Sequence, residues 1–394
     1  MLILILILVS LAFPQIKIFS TESNEGAFAI RKLTSNVCFA GRRDEGNNGY
    51  DALFGVCSKE CRIFVLGSDR DDYSYTVERY GRGCMAGVTT LARGNMDMVL
   101  VVFGNDKPET ALVLGGNGND MLWFMRKVKD GYVLVGGVQD KDWDILIIKL
   151  GGDLKVLWSK RIGTTAEEYA YGVVEYRNRY YVVGRSNFRG NWDGFFLELT
   201  PDAKIVSAKL FGSDSKDYLR YVGIYKNKVL AVGRSEARDT SDVLMVFPES
   251  GKYFLYDGGD FDYGRVFTER DNGLLVMGDT YKDGDSDGMA LLLDGNFRVI
   301  KGFAIGRDGI ESIRYLTKEG LFAGYTYSFT LDNDLMIGKF SQECGTFVRP
   351  KEFKEVSAKL RFYDYPVKVK NYKLEPLQLS LPIKEINMKT LDPC

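Results

Sequence analysis

Residues 168–212 read EYAYGVVEYRNRYYVVGRSNFRGNWDGFFLELTPDAKIVSAKLFG. Four runs rich in aromatic and β-branched residues, 168–176, 179–186, 193–200 and 203–212, are separated by the turn signals RN, a Gly-Asn segment and PD. None sustains a 3.6-residue apolar period, and each is too short for a typical helix, so the stretch predicts four consecutive antiparallel strands. Four such strands in about 45 residues make one propeller blade.

Three anchors carry this unit along the chain. A Gly closes an apolar run at Gly41, Gly87, Gly136, Gly184, Gly233, Gly278 and Gly324. An Asp opens the next apolar run at Asp51, Asp97, Asp144, Asp193, Asp242, Asp287 and Asp334. A Gly followed by an acid recurs as Gly67 with Asp72, Gly115 with Asp120, Gly163 with Glu168, Gly212 with Asp217, Gly258 with Asp262 and Gly306 with Glu311; Ser20 with Glu25 supplies the seventh copy. Seven copies predict an all-β, seven-bladed propeller of four-stranded antiparallel blades over residues 16–353. Because the first copy starts at a blade junction, residues 16–19 (IKIF) are expected as an outer strand beside DLMIGKF at 334–340, closing the ring and removing a sheet edge. Residues 346–353 (TFVRPKEF) lie at the spacing of the same outer strand, leaving competition for that slot or a fifth strand.

The segments EEYAYGVVEYRNRYYVVGRSN, DYLRYVGIYKNKVLAVGRS and DGFFLELTPDAKIVSAKLFG resemble the secreted β-propeller repeats of bacterial and archaeal surface proteins, a WD-repeat-like blade architecture. The resemblance spans about residues 19–353. It implies the fold and an extracellular, cell-surface setting, and no reaction, since fold does not fix function.

The ends read differently. Residues 1–12 lie in the apolar run MLILILILVSLAF, with Ser10 and Ala12 placed for a signal peptidase, and are expected as a cleaved leader. The run is too short for a bilayer-spanning helix, so no integral membrane span is expected. Residues 354–394 contain four of the nine prolines and alternate apolar with polar side chains. They read as an extended arm, lying along its own ring or pairing with a neighbouring subunit's sheet edge, which would allow self-association and polymerisation. Six cysteines suit an oxidising compartment; spacing suggests Cys38 with Cys84, Cys57 with Cys61, and Cys344 with Cys394.

Composition limits the chemistry. With 52 basic and 53 acidic residues there is no basic excess for nucleic acid. The absence of histidine removes Ser-His-Asp and Cys-His nucleophile systems. Carboxylates remain, so the alternative to a non-enzymatic binding, adhesion or assembly module is a carboxylate-dependent polysaccharide hydrolase. The two sets of acids, at the starts of the first and third strands, are expected on one face of the disc, capping turns or pairing with Arg42, Arg185 or Arg234. Trp143 and Trp192 precede Asp144 and Asp193 in adjacent blades and mark the expected contact patch for a protein or carbohydrate ligand. Aromatics of the first strands (Phe28, Tyr73, Tyr75, Tyr169, Tyr171, Tyr218, Tyr221 and Tyr263) are expected mainly between blades, a minority lining a sugar-binding mouth. No cofactor is expected except Ca²⁺, for which Asp283, Asp285 and Asp287 in DGDSDG offer alternate carboxylates.

Overall fold

The computed structural model describes residues 16–391 apart from 47, 48, 59, 93, 105, 260, 283, 343, 345, 346 and 380–382. The expected leader lies outside the described residues. Seven antiparallel sheets are arranged in a ring, each contacting its sequence neighbours and the seventh contacting the first. In blade four the strands Glu168–Tyr176, Arg179–Ser186, Asp193–Leu199 and Ile205–Gly212 run outward from the axis.

Local chemistry sets the hairpins. Arg177 and Asn178 have φ of 49° and 57°, and Lys226 and Asn227 have 45° and 60°. These are two-residue turns of the primed kind, whose twist matches the flanking strands. Between third and fourth strands, Leu154, Ala203 and Phe297 take φ of 66°, 62° and 70°, each beside a one-residue register shift. That pairing of a left-handed residue with a bulge is the three-residue hairpin. The strands' β-branched and aromatic side chains then fill the clefts between blades; Ile145, Leu146, Ile147 and Ile148, consecutive in a third strand, are all fully buried. Burying such a side chain contributes about 1.5–3 kcal/mol.

Ring closure follows the expectation at the N-terminus. Ile16–Ser20 pairs antiparallel with Asp334–Lys339, with Ile16 opposite Gly338 and Phe19 opposite Leu335, as the fourth strand of blade seven. The expected four strands per blade become five. Val348–Lys351 competes for no slot in blade seven; it lies on the outer edge of blade six. From there Lys354–Val356 joins blade five, Arg361–Asp364 blade four, Lys368–Asn371 blade three, Leu377–Leu379 blade two, Ile383–Ile386 blade one and Lys389–Leu391 blade seven. The tail thus travels once around the disc against the direction of the repeats and adds one antiparallel strand to every blade. This belt begins at Val348, ahead of the residue-354 boundary read from composition, because pairing rather than proline content marks its start. Its strands are bonded to their own ring, which is the first of the two expectations for the arm.

Between belt strands, bulky residues dip back into the ring. Phe347, Phe353, Leu360 and Tyr365 are buried, Phe211 packs on Phe362 at 4.6 Å, and Arg62 makes a bidentate ion pair with Glu385. Two disulfides reinforce the first blades: Cys38–Cys84 joins the second strands of blades one and two, and Cys57–Cys61 staples the outer hairpin of blade one. Cys344 is a half-cystine; its expected partner Cys394 lies outside the described residues.

Deleting residues 348–394 strips seven edge strands and leaves seven open sheet edges, which template intermolecular pairing. The truncated protein is expected to show a lower Tm and growing light scattering at concentrations where the full chain stays monodisperse. An unchanged Tm without scattering would show that the belt is dispensable.

Candidate functional site

The upper face of the disc, where first and third strands begin, is organised by the Gly-acid anchor. In blade four Glu168 pairs across Ser186, which pairs across Asp193, so the two acid sets lie at one level. Between blades they meet. A side chain on Gly212 would strike Asp193 of one blade and, at 2.8 Å, Asp217 of the next; Gly163 stands likewise between Asp144 and Glu168, and Gly306 between Asp287 and Glu311. Only a residue without Cβ leaves room for two carboxylates to converge.

The first-strand acids also hold the chain reversal. Asp217 accepts from the Ser213 N–H at 2.6 Å and its hydroxyl at 2.8 Å, Asp120 from the Gly116 N–H at 2.6 Å, and Asp262 from the Gly258 N–H at 2.6 Å and the Thr280 hydroxyl at 2.5 Å. The belt adds partners: the Tyr372 hydroxyl donates to Asp120 at 2.9 Å and Arg349 pairs with Asp287 at 2.8 Å. Burial pushes Glu25 and Glu168 up to about 7, and Asp193, Asp242 and Asp262 to about 6. Neighbouring carboxylates work the same way, Asp144 on Glu168 and Asp217 on Asp193, because two adjacent carboxylates resist ionising together.

The turn-capping role expected of these acids is what the first strands show, and they do not offer an open acidic face for a ligand: Asp72, Asp97, Asp120, Glu168, Asp193, Asp217, Asp242, Asp262, Glu311 and Asp334 are all fully buried. What lines the channel mouth is different chemistry. Every first strand carries a β-bulge three residues past its acid. The bulged residues, in order around the ring, are Phe28, Tyr75, Trp123, Tyr171, Arg220, Arg265 and Arg314. All except Phe28 are half-buried. Four aromatics occupy one arc, with centroid separations of 5.1, 4.8 and 5.7 Å from Phe28 to Tyr75 to Trp123 to Tyr171. Three guanidiniums occupy the other: Arg220 sits 4.7 Å over Tyr171, and Arg314 closes the circle 5.6 Å from Phe28. A seven-fold scaffold here presents a two-faced site.

One residue deeper, Phe124, Tyr221 and Tyr315 from alternate blades meet across the axis at 6.1 to 6.5 Å, and Arg126 donates to the Tyr221 hydroxyl at 3.0 Å. These cross-axis contacts floor the upper mouth.

Trp143 and Trp192 each lie 5.8 Å from Tyr169, which stands between them, and Tyr169 stacks 6.5 Å from Tyr171. The expected tryptophan patch is thus continuous with the aromatic arc. Asp144 and Asp193 are buried and engaged, the first with Arg161 and the second with Arg189 at 3.1 Å. Arg42 and Arg185, expected near carboxylates, instead stack on aromatics, at 3.9 Å over Tyr50 and 4.3 Å over Trp192; Arg234 lies 4.5 Å over Tyr218 while also reaching Glu236. Cation–π contact is favourable for the weakly hydrated guanidinium in such half-dry clefts.

For the calcium expectation, Asp287 faces Arg349, Asp285 accepts from the Ser286 N–H at 2.9 Å, and Asp283 lies outside the described residues. Among the described residues no group of three or more acids or cysteines is placed to hold a metal ion. The arginine arc is not visible in the repeat pattern, because the residue at this position changes from blade to blade; it lies three places beyond each acid.

No family model matches the chain. An uncharacterized protein of Aquifex aeolicus (strain VF5) is 35% identical over 326 residues, covering 83% of this chain and 91% of that protein.

Two outcomes follow for the junctions. Gly212→Ala is expected to destabilise the fold by about 1–3 kcal/mol, the range for overpacking a tight interior, measured by urea unfolding. A neutral substitution would contradict the carboxylate contact. The carboxyls raised to about 6 or 7 bind protons more tightly folded than unfolded, so folding takes up protons between about pH 4 and pH 7. Their stabilisation is complete below the unfolded values and is lost as pH rises through the folded ones. The Tm is expected to climb as pH falls from about 8 to about 5; a fall over that window would contradict the assignment. Glu78, whose pKa is lowered by its Arg31 partner against the effect of burial, acts oppositely and only at lower pH.

Proposed function

We infer that this chain, which belongs to the same family as the Aquifex aeolicus protein, is a non-enzymatic binding module that takes a ligand end-on into the upper mouth of its propeller. The observation that carries the reading is the break in symmetry at the bulge: a position that is structurally equivalent in all seven blades holds four consecutive aromatics and then three consecutive arginines. A scaffold needs no such division, whereas a ligand with one apolar and one anionic side does. The acids with raised pKa values lend little to the hydrolase alternative, because they are buried within the junctions and tied through at least one oxygen to turn N–H groups, hydroxyls or belt side chains.

The two disulfides, the apolar leader-like start and the resemblance to surface-protein repeats support action outside the cytoplasm, at a cell or particle surface. No helix among the described residues is long and apolar enough to cross a membrane. The belt's pairing with its own blades favours binding over polymerisation through the arm.

Glycan-array and polysaccharide-depolymerisation screens of the wild type and Arg220→Gln, with and without Ca²⁺, test the reading. Saturable binding without turnover is expected, weakened at least about tenfold by the substitution, as for an arginine anchor at the centre of an interface. Turnover, or binding indifferent to Arg220, would overturn it.

A further inference from the structure

Resting on that reading of the mouth, we propose that the ligand is an acidic saccharide, a pyranose residue bearing a carboxylate, with its ring on the aromatic arc and its carboxylate on Arg220 and Arg314. The charge count comes first. Arg265 is held by Asp279 at 2.5 Å, and Asp279 also accepts from Ser312 at 2.6 Å. Among the described residues Arg314 donates to the neutral Tyr325 hydroxyl at 3.0 Å and to no carboxylate, and its Nε is buried without a hydrogen-bond partner. Arg220 has no carboxylate partner among the described residues; burial, and then the charges of Arg265 and Arg314, press its pKa below the ordinary guanidinium value. Three guanidiniums thus face one carboxylate. Half-buried positive charges without counter-ions raise the free energy of the empty mouth, and an anion delivered there relieves both the repulsion and the missing hydrogen bonds. A carboxylate suits the planar guanidinium fork, accepting two parallel N–H bonds.

The opposite arc decides what carries the carboxylate. Aromatic faces alone would suit any flat apolar group, yet this arc also has unspent polar capacity. The Trp123 indole N–H is buried without a partner, and the Tyr75 and Tyr171 hydroxyls are bonded to no protein group among the described residues. The phenols stand beside Arg220 electrostatically, Tyr75 also feeling Arg314. A purely aromatic guest would leave these donors and acceptors dry and unpaired, which costs binding free energy. A sugar ring offers C–H faces to the aromatic surfaces and hydroxyls to the indole and phenols. Trp143, Tyr169 and Trp192 extend the same surface outward from Tyr171, in line to carry a second residue of a chain.

The experiment is isothermal titration of the full chain with short oligomers of glucuronate, galacturonate and mannuronate, their methyl esters, the matching neutral hexose oligomers, and a peptide ending in a Trp carboxylate. At least one uronate oligomer is expected to bind and to quench tryptophan fluorescence through Trp123. Its methyl ester is expected to bind at least tenfold more weakly, and added salt to weaken the acid form. Arg220→Gln should cost a similar factor with Tm unchanged or raised, since it removes a repelled charge. Tyr171→Phe, which keeps the ring and the fold, should cost a smaller, salt-independent factor. Failure of every uronate oligomer to bind, or equal binding of acid and ester, overturns the proposal. Preference for the peptide, with sensitivity to Arg220, overturns the saccharide class while leaving the mouth as the binding site. Binding of any probe that ignores both variants removes the mouth itself.

Discussion

Two carboxylates from neighbouring blades converging over a glycine are the constraint on which this ring is built. Asp193 and Asp217 across Gly212, Asp144 and Glu168 across Gly163, and Asp287 and Glu311 across Gly306 show the same arrangement. First-strand acids such as Asp72, Asp120, Asp217 and Asp262 fix the chain reversal that starts a blade, and at these three junctions the third-strand acid brings the preceding blade to it. The glycine is needed for space rather than for an unusual backbone angle at Gly163 and Gly212. Since adjacent buried carboxyls resist ionising together, the junction is a protonated or charge-compensated contact, and the belt's Arg349 and Tyr372 compensate it from outside.

Holding the blades at their junctions and rims frees the axis. The bulge in each first strand turns one side chain into the channel without disturbing the ladder on either side. That position can therefore differ from blade to blade at little cost to the fold, and it does. Two sets of residues with equal repeat spacing thus have opposite roles: the acids are uniform because they build, and the bulged residues diverge because the mouth they line is not seven-fold.

Much of this was legible in the chain. The anchors Gly184, Asp193 and Glu168, with their counterparts, gave the blade number, and FSTESNEGAF gave the closure by Ile16–Ser20. The belt was half legible: proline and alternation marked residues 354–394 as extended, but three- and four-residue strands divided among seven sheets carry no periodic signal, and their partners are fixed only by the ring they encircle. Burial of the acids was hidden because Asp193 reads the same whether solvated or paired with Arg189. The arginine arc was hidden for another reason: Arg220, Arg265 and Arg314 sit in strands whose neighbours vary, and only alignment on the acids puts them at one level with Trp123.

The central claim concerns the state of the junction acids, and it can be measured directly. With ¹³C-carboxyl-labelled glutamate, the chemical shifts of Glu25 and Glu168, assigned by single Glu→Gln substitutions, can be followed from about pH 4 to about pH 9. The account predicts midpoints near 7 for both, well apart from the solvent-exposed glutamates. Midpoints at the ordinary glutamate value of about 4.3 would contradict it, because a Glu25 that ionised so readily would not be buried at its junction and such a Glu168 would not be packed against Asp144 of the neighbouring blade.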